Sequence, residues 1–398
     1  MTQVNEKIIP YGRQHITDDD IAAVVKSLRS DYLTQGPEIA RFEHNFAAYV
    51  DAPFALSVAN GTAALHLSVL ALGLQPGQKV ITTTITFSAT ANAVRYAGAD
   101  VHFVDIAPAT NLIDIAAIRQ LLADSPKGTY AGIISVDFAG RAVNLQELRL
   151  LADAYDMWII SDSCHAPGAY FIDEQGREQL CGNGRFADLT VFSFHPVKHI
   201  ASGEGGMVTT RHAHLYQQLS KLRTHGITRA ADDFLNSVAL AGGGEDYPAW
   251  YMEMQELGFN YRLTDLQAAL GNSQLQCAAQ GLVRRRALAA VYTAAFTGKD
   301  YVYNLSGDVG GHAYHLYVLE VKDRLGLYNY LRRHHVFAQV HYFPVHLMPY
   351  YQAQGWREGD LPQAEAYYKN CLSLPLFPTL SDSDQERVIQ LIESYYVK

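Results

Sequence analysis

One strand-to-helix junction of this chain reads Ala59-Asn-Gly-Thr-Ala-Ala-Leu65, between the apolar run Phe54–Val58 and the helical pattern Ala63–Leu74. Gly61 permits a tight turn of the backbone, and the N–H groups of a first helical turn bind anions, phosphate above all. Asn, Gly and Thr are also ordinary helix-capping residues. The junction by itself therefore leaves two interpretations open, a plain helix cap and a phosphate site.

Short apolar, β-branched runs alternate with helical patterns through the first two thirds of the chain. The predicted strands are Phe54–Val58, Lys79–Thr82, Val101–Val104, Gly132–Val136, Trp158–Ser161, Thr190–Phe194 and Gly206–Thr210. Helical patterns between them include Ala63–Leu74, Asp114–Leu122 and Leu145–Tyr155. This order predicts the α/β class, with β-α-β units that form a large, mixed, mainly parallel sheet covered by helices on both faces.

A smaller unit follows the sheet pattern. The turn-rich stretch Thr228–Trp250 lacks periodicity and predicts a long loop, and a helical run then extends from Thr264 to about Thr297. Beyond it the patterns predict strands at His315–Val321 and Phe337–Tyr342 and helices at Asp323–His334 and Asp382–Tyr396. We therefore expect a large domain over residues 15–285, a smaller C-terminal α/β domain over residues 286–398, and the segment 1–14 packed near the smaller domain.

The composition excludes several classes of protein. Hydrophobic residues make up 48% of the 398 and charged residues 18%, which excludes a disordered or fibrous chain. The net charge of −9 argues against nucleic acid or an anionic membrane as a partner. Because the sequence has no apolar run of membrane-spanning length and Met1–Pro10 lacks a signal-peptide core, we expect a cytoplasmic protein. Four cysteines without CxxC spacing and histidines without nearby carboxylates predict neither a disulfide framework nor a metal site.

A second polar cluster follows a predicted strand at Ile159-Ile-Ser-Asp-Ser-Cys-His165. Asp162 lies at the carboxyl end of the strand, where open α/β sheets bind their ligands. A carboxylate there can hold a proton on a heteroaromatic nitrogen, and His165, three residues on, could hydrogen-bond a neighbouring ring substituent. The alternative is a turn aspartate with a half-buried histidine, and we interpret Cys164 as a small packed residue.

A lysine enclosed by apolar residues follows the next strand, in Val191-Phe-Ser-Phe-His-Pro-Val-Lys198. Desolvation lowers the pKa of a lysine and favours its use as a Schiff-base amine. Ser193, five positions earlier, offers a hydroxyl to an anion. The alternative is a surface lysine whose stem covers an apolar patch.

Phe87 lies in the segment Thr84-Ile-Thr-Phe-Ser-Ala-Thr-Ala-Asn92, where it is either a core residue or a platform for a flat ring. Each of these features is weak alone. Together they supply an anion cradle, a ring stacker, a carboxylate for a ring nitrogen and an amine for an aldehyde, which are the parts that pyridoxal phosphate requires.

At these residues the chain resembles the DegT/DnrJ/StrS family of sugar aminotransferases, which have the aspartate-aminotransferase fold (PLP-dependent transferase fold type I). The resemblance runs almost from end to end. Its motifs are Ile9-Pro-Tyr-Gly-Arg-Gln14, Tyr32-Leu-Thr-Gln-Gly-Pro37, Asn60-Gly-Thr-Ala-Ala-Leu-His66, Ser193–Gly206, Gly258-Phe-Asn-Tyr-Arg-Leu-Thr-Asp-Leu-Gln-Ala-Ala269 and Gln339-Val-His-Tyr342.

The resemblance implies a role for each matching residue. Lys198 would carry pyridoxal phosphate as an internal aldimine and act as the catalytic base, with pyridoxamine phosphate formed during turnover. Asn260 would reach the cofactor of the neighbouring subunit, which implies a homodimer with shared active sites. The implied cofactor-binding residues are Gly61, Thr62, Ala63, Phe87, Asp162, His165, Ser193, Lys198 and Asn260. The implied substrate-binding residues are Tyr11, Asp31, Tyr32, Leu33, Thr34, Gln339, Val340, His341 and Tyr342.

The resemblance also implies the reaction. The amino group of L-glutamate would move to C4 of a UDP-linked 4-keto-6-deoxy-N-acetylhexosamine, a pseudaminic-acid-type precursor. Lys198 argues against the branch of the family in which histidine replaces the lysine and the enzyme is a dehydratase. The alternatives are transfer to C3 or C4 of another nucleotide keto-deoxysugar (dTDP- or GDP-linked), a desulfurase or acyltransferase of the same fold, and a catalytically silent sugar-nucleotide-binding regulator.

Overall fold

A computed structural model describes residues 7–397 of the chain. Its central element is a seven-stranded sheet. Its strands are β1 Phe54–Val58, β2 Lys79–Thr83, β3 Asp100–Val104, β4 Tyr130–Val136, β5 Trp158–Asp162, β6 Leu189–Ser193 and β7 Gly206–Thr210. They lie in the order β1-β7-β6-β5-β4-β2-β3. Strand β7 is antiparallel to both of its neighbours, and the other pairs are parallel. The predicted mixed, mainly parallel sheet is confirmed.

Twelve α-helices are present in the described part of the chain. They are α1 Asp18–Leu28, α2 Pro37–Val50, α3 Gly61–Ala71, α4 Ala89–Tyr96, α5 Ile115–Ala123, α6 Leu145–Ala154, α7 Ala213–Arg223, α8 Asp265–Phe296, α9 Arg324–Arg333, α10 Pro349–Gln352, α11 Pro362–Asn370 and α12 Asp382–Tyr396. Helices α3, α4 and α7 bury their apolar residues against one face of the sheet. Helices α5, α6 and α11 do so against the other. Because both faces are covered, the strands are nearly continuous apolar runs.

Six of these helices, namely α1, α2, α4, α7, α10 and α11, were not named from the sequence, and the first two have recognisable starts. Helix α1 begins after Thr17, whose side chain forms a capping box with Asp20, a sequence-readable signal. Helix α2 begins with Pro37 at its first position, where the fixed φ of proline suits a helix. Capping residues would therefore have located both helices.

The C-terminal part contains a three-stranded antiparallel sheet, β8 Val302–Leu305, β9 Tyr317–Val321 and β10 Cys371–Leu374. Three further pairs of short strands are Ile9–Pro10 with Val336–Phe337, Ile227–Thr228 with Glu253–Met254, and Tyr170–Ile172 with Glu178–Leu180. Helix α8 runs unbroken across residues 285 and 286, and its last turns share a hydrophobic core with Ile9 and with β9. Residues 1–6 and 398, at the ends of the predicted domains, lie outside the described residues.

The predicted strand Phe337–Tyr342 is wrong beyond its first residue. The observed strand is Val336–Phe337, and Gln339 makes a single bridge to Ser373. Beyond that bridge, hydrogen bonds of side chains take the place of backbone hydrogen bonds between strands. His341 Nδ1 lies 2.8 Å from Ser373 Oγ, and Tyr367 Oη donates to the His341 carbonyl oxygen at 2.6 Å.

A buried cation ties α8 to the C-terminal part. The Arg285 guanidinium is fully buried, and its Nη1 donates to the carbonyl oxygens of Tyr314, His315 and Leu376 at 3.2, 3.3 and 3.0 Å. Burial lowers the pKa of Arg285 to about 10, so the side chain stays charged at neutral pH. Charge-assisted bonds of this kind are stronger than neutral ones.

We predict that Arg285→Met destabilises the fold by about 3–5 kcal/mol, because buried carbonyl groups lose their donor. The control is Arg284→Met in the adjacent residue, whose guanidinium donates to the Leu380 carbonyl oxygen and pairs with the largely exposed Asp382, and whose loss costs about 1 kcal/mol. Urea unfolding of both variants measures the difference. Equal unfolding midpoints for the two variants would contradict a structural role for Arg285.

Candidate active site

A cavity of about 510 Å³ opens at the carboxyl ends of the parallel strands. It brings together residues that are far apart in the sequence, from the N-terminal segment to the C-terminal part. Ten of the predicted site residues line it, namely Tyr11, Gly61, Thr62, Phe87, Asp162, His165, Ser193, Lys198, His341 and Tyr342. This position is where open α/β sheets bind their ligands.

Asp162 ends strand β5 and presents its carboxylate to the cavity. Its Oδ2 accepts a hydrogen bond from Thr90 Oγ1 at 2.8 Å, and its Oδ1 accepts one from the Cys164 N–H at 3.2 Å. The carboxylate is therefore held in one orientation and retains lone pairs for a donor in the cavity.

His165 is buried beside Asp162 and has a defined tautomer. Its Nδ1 accepts a hydrogen bond from the Ala139 N–H at 3.2 Å, so the hydrogen of the neutral ring is on Nε2. That nitrogen lies 3.2 Å from Tyr342 Oη. Burial, reinforced by the charge of Lys198, lowers the pKa of His165 well below its usual range. His165 is thus a neutral hydrogen-bond donor at the cavity wall.

Lys198 follows β6 in a loop, and its Nζ reaches the cavity. Burial lowers the pKa of Lys198 to about 8, against the opposing effect of Cys164 and Asp162. Nζ lies 3.5 Å from Nε2 of His315, a ring that burial, with Lys198, keeps neutral by lowering its pKa. At pH 7 about a tenth of Lys198 is therefore an unprotonated, nucleophilic amine, far more than for a lysine with the ordinary pKa of 10.5.

The start of helix α3 forms the opposite wall. Gly61 and Thr62 line the cavity together with Ser193, and N–H groups of a first helical turn have no partner within the helix. A Cβ on Gly61 would lie 3.1 Å from Ser193 Cβ, so glycine allows the helix to approach β6. The structure does not bring the predicted residue Ala63 to the cavity, because its N–H donates to the capping Asn60 Oδ1 at 2.8 Å.

Several other predicted residues lie outside the cavity of this chain. In the Asp31–Thr34 turn, Tyr32 and Leu33 have exposed side chains, and the backbone pairs with Thr264 and Asp265. Gln339 is exposed and Val340 packs on the core. Asn260 is also exposed, and its backbone bridges to Thr224.

Part of the cavity wall was not predicted. The unpredicted lining residues are Asn60, Leu65, Thr86, Ala89, Val136, Cys164, His195, Val197, Glu204 and His315. Most of them flank a predicted residue and were within reach of the motifs. His315 was not, because it is 117 residues from Lys198 and reaches that lysine through tertiary packing alone.

Within residues 7–397 no group of three or more His, Cys, Asp or Glu side chains is arranged to hold a metal ion. None of the helices in the same range is long and apolar enough to cross a membrane.

Residues 14–393 match the DegT/DnrJ/EryC1/StrS aminotransferase family. The chain belongs to this family. As a DegT-family member it is a pyridoxal-phosphate-dependent sugar aminotransferase, and the predicted family, fold type and class of enzyme are confirmed.

Two curated relatives of this DegT-family chain match it over nearly their full length. The spore coat polysaccharide biosynthesis protein SpsC of Bacillus subtilis is 34% identical over 98% of each chain. The UDP-4-amino-4,6-dideoxy-N-acetyl-β-L-altrosamine transaminase of Campylobacter jejuni is 33% identical over 96% of each chain.

Solved structures of DegT-family aminotransferases have the same fold. PseC of Helicobacter pylori, an aminotransferase of pseudaminic acid biosynthesis, has a TM-score of 0.85 at 28% identity, covering 98% of this chain and 100% of its own. The sugar aminotransferase Spr1654 of Streptococcus pneumoniae, in its PLP form, has a TM-score of 0.85 at 26% identity over 98% of each chain. The donor set in the cavity fits that cofactor, with hydroxyls and a helix start for phosphate, a carboxylate for a ring nitrogen and an amine for an aldehyde.

We predict that pyridoxal phosphate attaches covalently to cofactor-free protein at a rate that rises with pH to a plateau, with its midpoint near pH 8, the pKa of Lys198. Below that pH the amine is protonated and unreactive. Absorbance at several pH values gives the rate, and borohydride trapping with mass spectrometry gives the residue. The control is Lys127, an exposed lysine that pairs with Asp156 and should stay unlabelled. A midpoint near the ordinary value of 10.5 would contradict the prediction.

Proposed function

We propose that this enzyme moves the amino group of L-glutamate to C4 of a UDP-linked 4-keto-6-deoxy-N-acetylhexosamine of the pseudaminic-acid type. The observation that carries the proposal is that Lys198, with its lowered pKa, and Asp162 open into one cavity. The Campylobacter and Helicobacter proteins, whose names state such a role, support the choice of sugar. A cytoplasmic location stays a prediction.

Different cavity residues would bind different parts of the cofactor. The hydroxyls of Thr62 and Ser193, with the first N–H groups of α3, would hold the phosphate. The exposed ring of Phe87 would stack on the cofactor ring. When bound, pyridoxal phosphate supplies an aldehyde that carries the amino group and a ring that accepts electrons.

Proton positions follow from the hydrogen bonds. The Asp162 carboxylate would hold a proton on the ring nitrogen, and His165 Nε2–H would donate to the ring's phenolic oxygen. Lys198 Nζ would take a proton from the α-carbon of glutamate and return one to C4 of the sugar. A base with a pKa of about 8 is matched to proton transfer near neutral pH.

The sugar nucleotide would bind at the mouth of the cavity, beside Tyr11, His341 and Tyr342. The rings of Tyr11 and His341 lie 5.3 Å apart, and burial lowers the pKa of His341 to about 3. These residues offer flat faces and neutral polar groups to a sugar. Gln339 and Val340 would affect sugar binding only by positioning the backbone of His341.

We predict that the purified enzyme is yellow, that L-glutamate shifts its absorbance, and that Lys198→Ala lowers turnover by at least about a thousandfold. The experiment offers UDP-, dTDP- and GDP-4-keto-6-deoxy sugars and determines the product by NMR, including whether C3 or C4 carries the new amine. Exclusive turnover of a dTDP- or GDP-sugar would contradict the proposed substrate and favour the alternative within the family. A yellow protein that never responds to glutamate would favour the silent regulator.

A homodimer with shared active sites is part of the proposal. Five large apolar side chains of the 228–258 region, 66 to 81% exposed, are Leu235, Leu240, Trp250, Met254 and Leu257. Exposed apolar patches of this kind mark protein interfaces. Asn260 is three residues after Leu257, is exposed and does not line the chain's own cavity, so its predicted phosphate contact would be to the cofactor of a second copy.

We predict that Lys198→Ala and Asn260→Ala subunits restore activity when they are mixed and refolded together. A mixed dimer has one site with both residues intact, so random pairing returns about a quarter of the wild-type sites. The control pairs Lys198→Ala with Asp162→Asn, whose positions lie in one cavity and cannot complement each other. Absence of recovery in the first mixture, or equal recovery in both, would contradict the shared site.

A further inference from the structure

Asp162 is supported by two threonines that follow strand β2. Thr90 Oγ1 lies 2.8 Å from Asp162 Oδ2 and 2.8 Å from Thr86 Oγ1. A hydroxyl has one hydrogen, and a carboxylate oxygen accepts. Thr90 therefore donates to Asp162 and accepts from Thr86, which gives the chain of hydrogen bonds a single direction.

The three hydrogen-bonded side chains are all shielded from water. Thr86 is 1%, Thr90 0% and Asp162 6% exposed. Asp162 and Thr86 line the cavity, whereas Thr90 lies behind them. Thr90 thus acts on a ligand through the residues it bonds, Asp162 and Thr86.

The bond from Thr90 differs from the usual behaviour of a buried helical hydroxyl. Such hydroxyls commonly donate to the carbonyl oxygen four residues earlier, as Ser68 does to Ala64 at 2.7 Å in helix α3. Thr90 is the second residue of α4, where the chain has just left β2. Its hydroxyl crosses instead to a carboxylate 72 residues away.

We propose that Thr90, supported by Thr86, is a positioning residue that orients the Asp162 carboxylate towards the cofactor's ring nitrogen; this inference rests on the proposed function. The Thr90 hydroxyl fixes Oδ2 of Asp162 and leaves the carboxylate's other lone pairs to accept from a protonated ring nitrogen. Without the Thr90 hydroxyl, Asp162 turns more freely and the ring proton is held less well. The ring then accepts electrons less readily.

The test compares Thr90→Val, which keeps the shape and loses the hydroxyl, with Thr90→Ser, which keeps the hydroxyl. We expect Thr90→Val to slow the single-turnover reaction with glutamate about tenfold, or ~1.4 kcal/mol, with an apparent KM for glutamate within about twofold. The pH midpoint of the bound cofactor's absorbance should move upward. Thr90→Ser should stay within about twofold of wild type, and Thr86→Val should lose about threefold.

Thr82→Val is the matched control. Thr82 is an equally buried threonine of β2, and its hydroxyl donates to the Ile134 carbonyl oxygen at 2.8 Å, away from the cavity. Its substitution should lower stability and leave the absorbance midpoint unchanged. A midpoint that moves as far in Thr82→Val as in Thr90→Val would overturn the inference.

Failure of the inference and failure of the proposed function give different results. If wild-type protein binds pyridoxal phosphate and reacts with glutamate while Thr90→Val does the same at an unchanged rate and midpoint, the inference alone is overturned. If wild-type protein neither binds pyridoxal phosphate nor responds to glutamate, the proposed function falls and the inference with it. Should Thr90→Val fail to fold, the midpoints of Thr90→Ser and Thr86→Val against wild type decide the matter, since only the second is expected to move.

Discussion

The alignment of parallel strands is the constraint on which the site depends. Strands β4, β5 and β6 pair so that Val136 lies opposite Asp162, and Asp162 opposite Val191. Their chains therefore leave the sheet along one edge, and the segments after β2, β5 and β6 meet there. A shift of one residue in this register would turn Asp162 to the other face of the sheet.

Burial is the main cause of the lowered pKa values of the histidines at the cavity. His165, His199 and His315 lie close together, with ring centroids 4.4 Å apart for the first and third, and 5.8 Å for the second and third. Burial lowers the pKa of each well below its usual range. The nearby Arg285 keeps its charge because carbonyl oxygens surround it. A cluster of neutral rings beside one lysine favours the unprotonated amine that the reaction needs.

Anion binding in this acidic chain depends on neutral groups. The net charge is −9, and among the described residues that line the cavity Lys198 is the sole lysine or arginine. The proposed ligands all carry phosphates or carboxylates. N–H groups of α3 and hydroxyls would bind the cofactor phosphate, and in the proposed homodimer a second copy of the chain would supply further groups.

The sequence by itself determined the strand order along the chain, the class of fold and the residues that adjoin the ends of β1, β5 and β6. These features are local, because apolar runs, glycines and polar residues at strand ends can be recognised within one segment of the sequence, without knowledge of its spatial neighbours. The tertiary structure alone decided which side chains meet. The capping of the Ala63 N–H by Asn60 is a local contact that capping preference allows, whereas the end of the strand at Phe337 depended on the tertiary structure. The tertiary structure also brought His315 to Lys198 and Thr90 to Asp162. These two pairs are separated by 117 and 72 positions in the sequence. Their contacts arise from the packing of distant segments, which the pattern of a single segment does not predict.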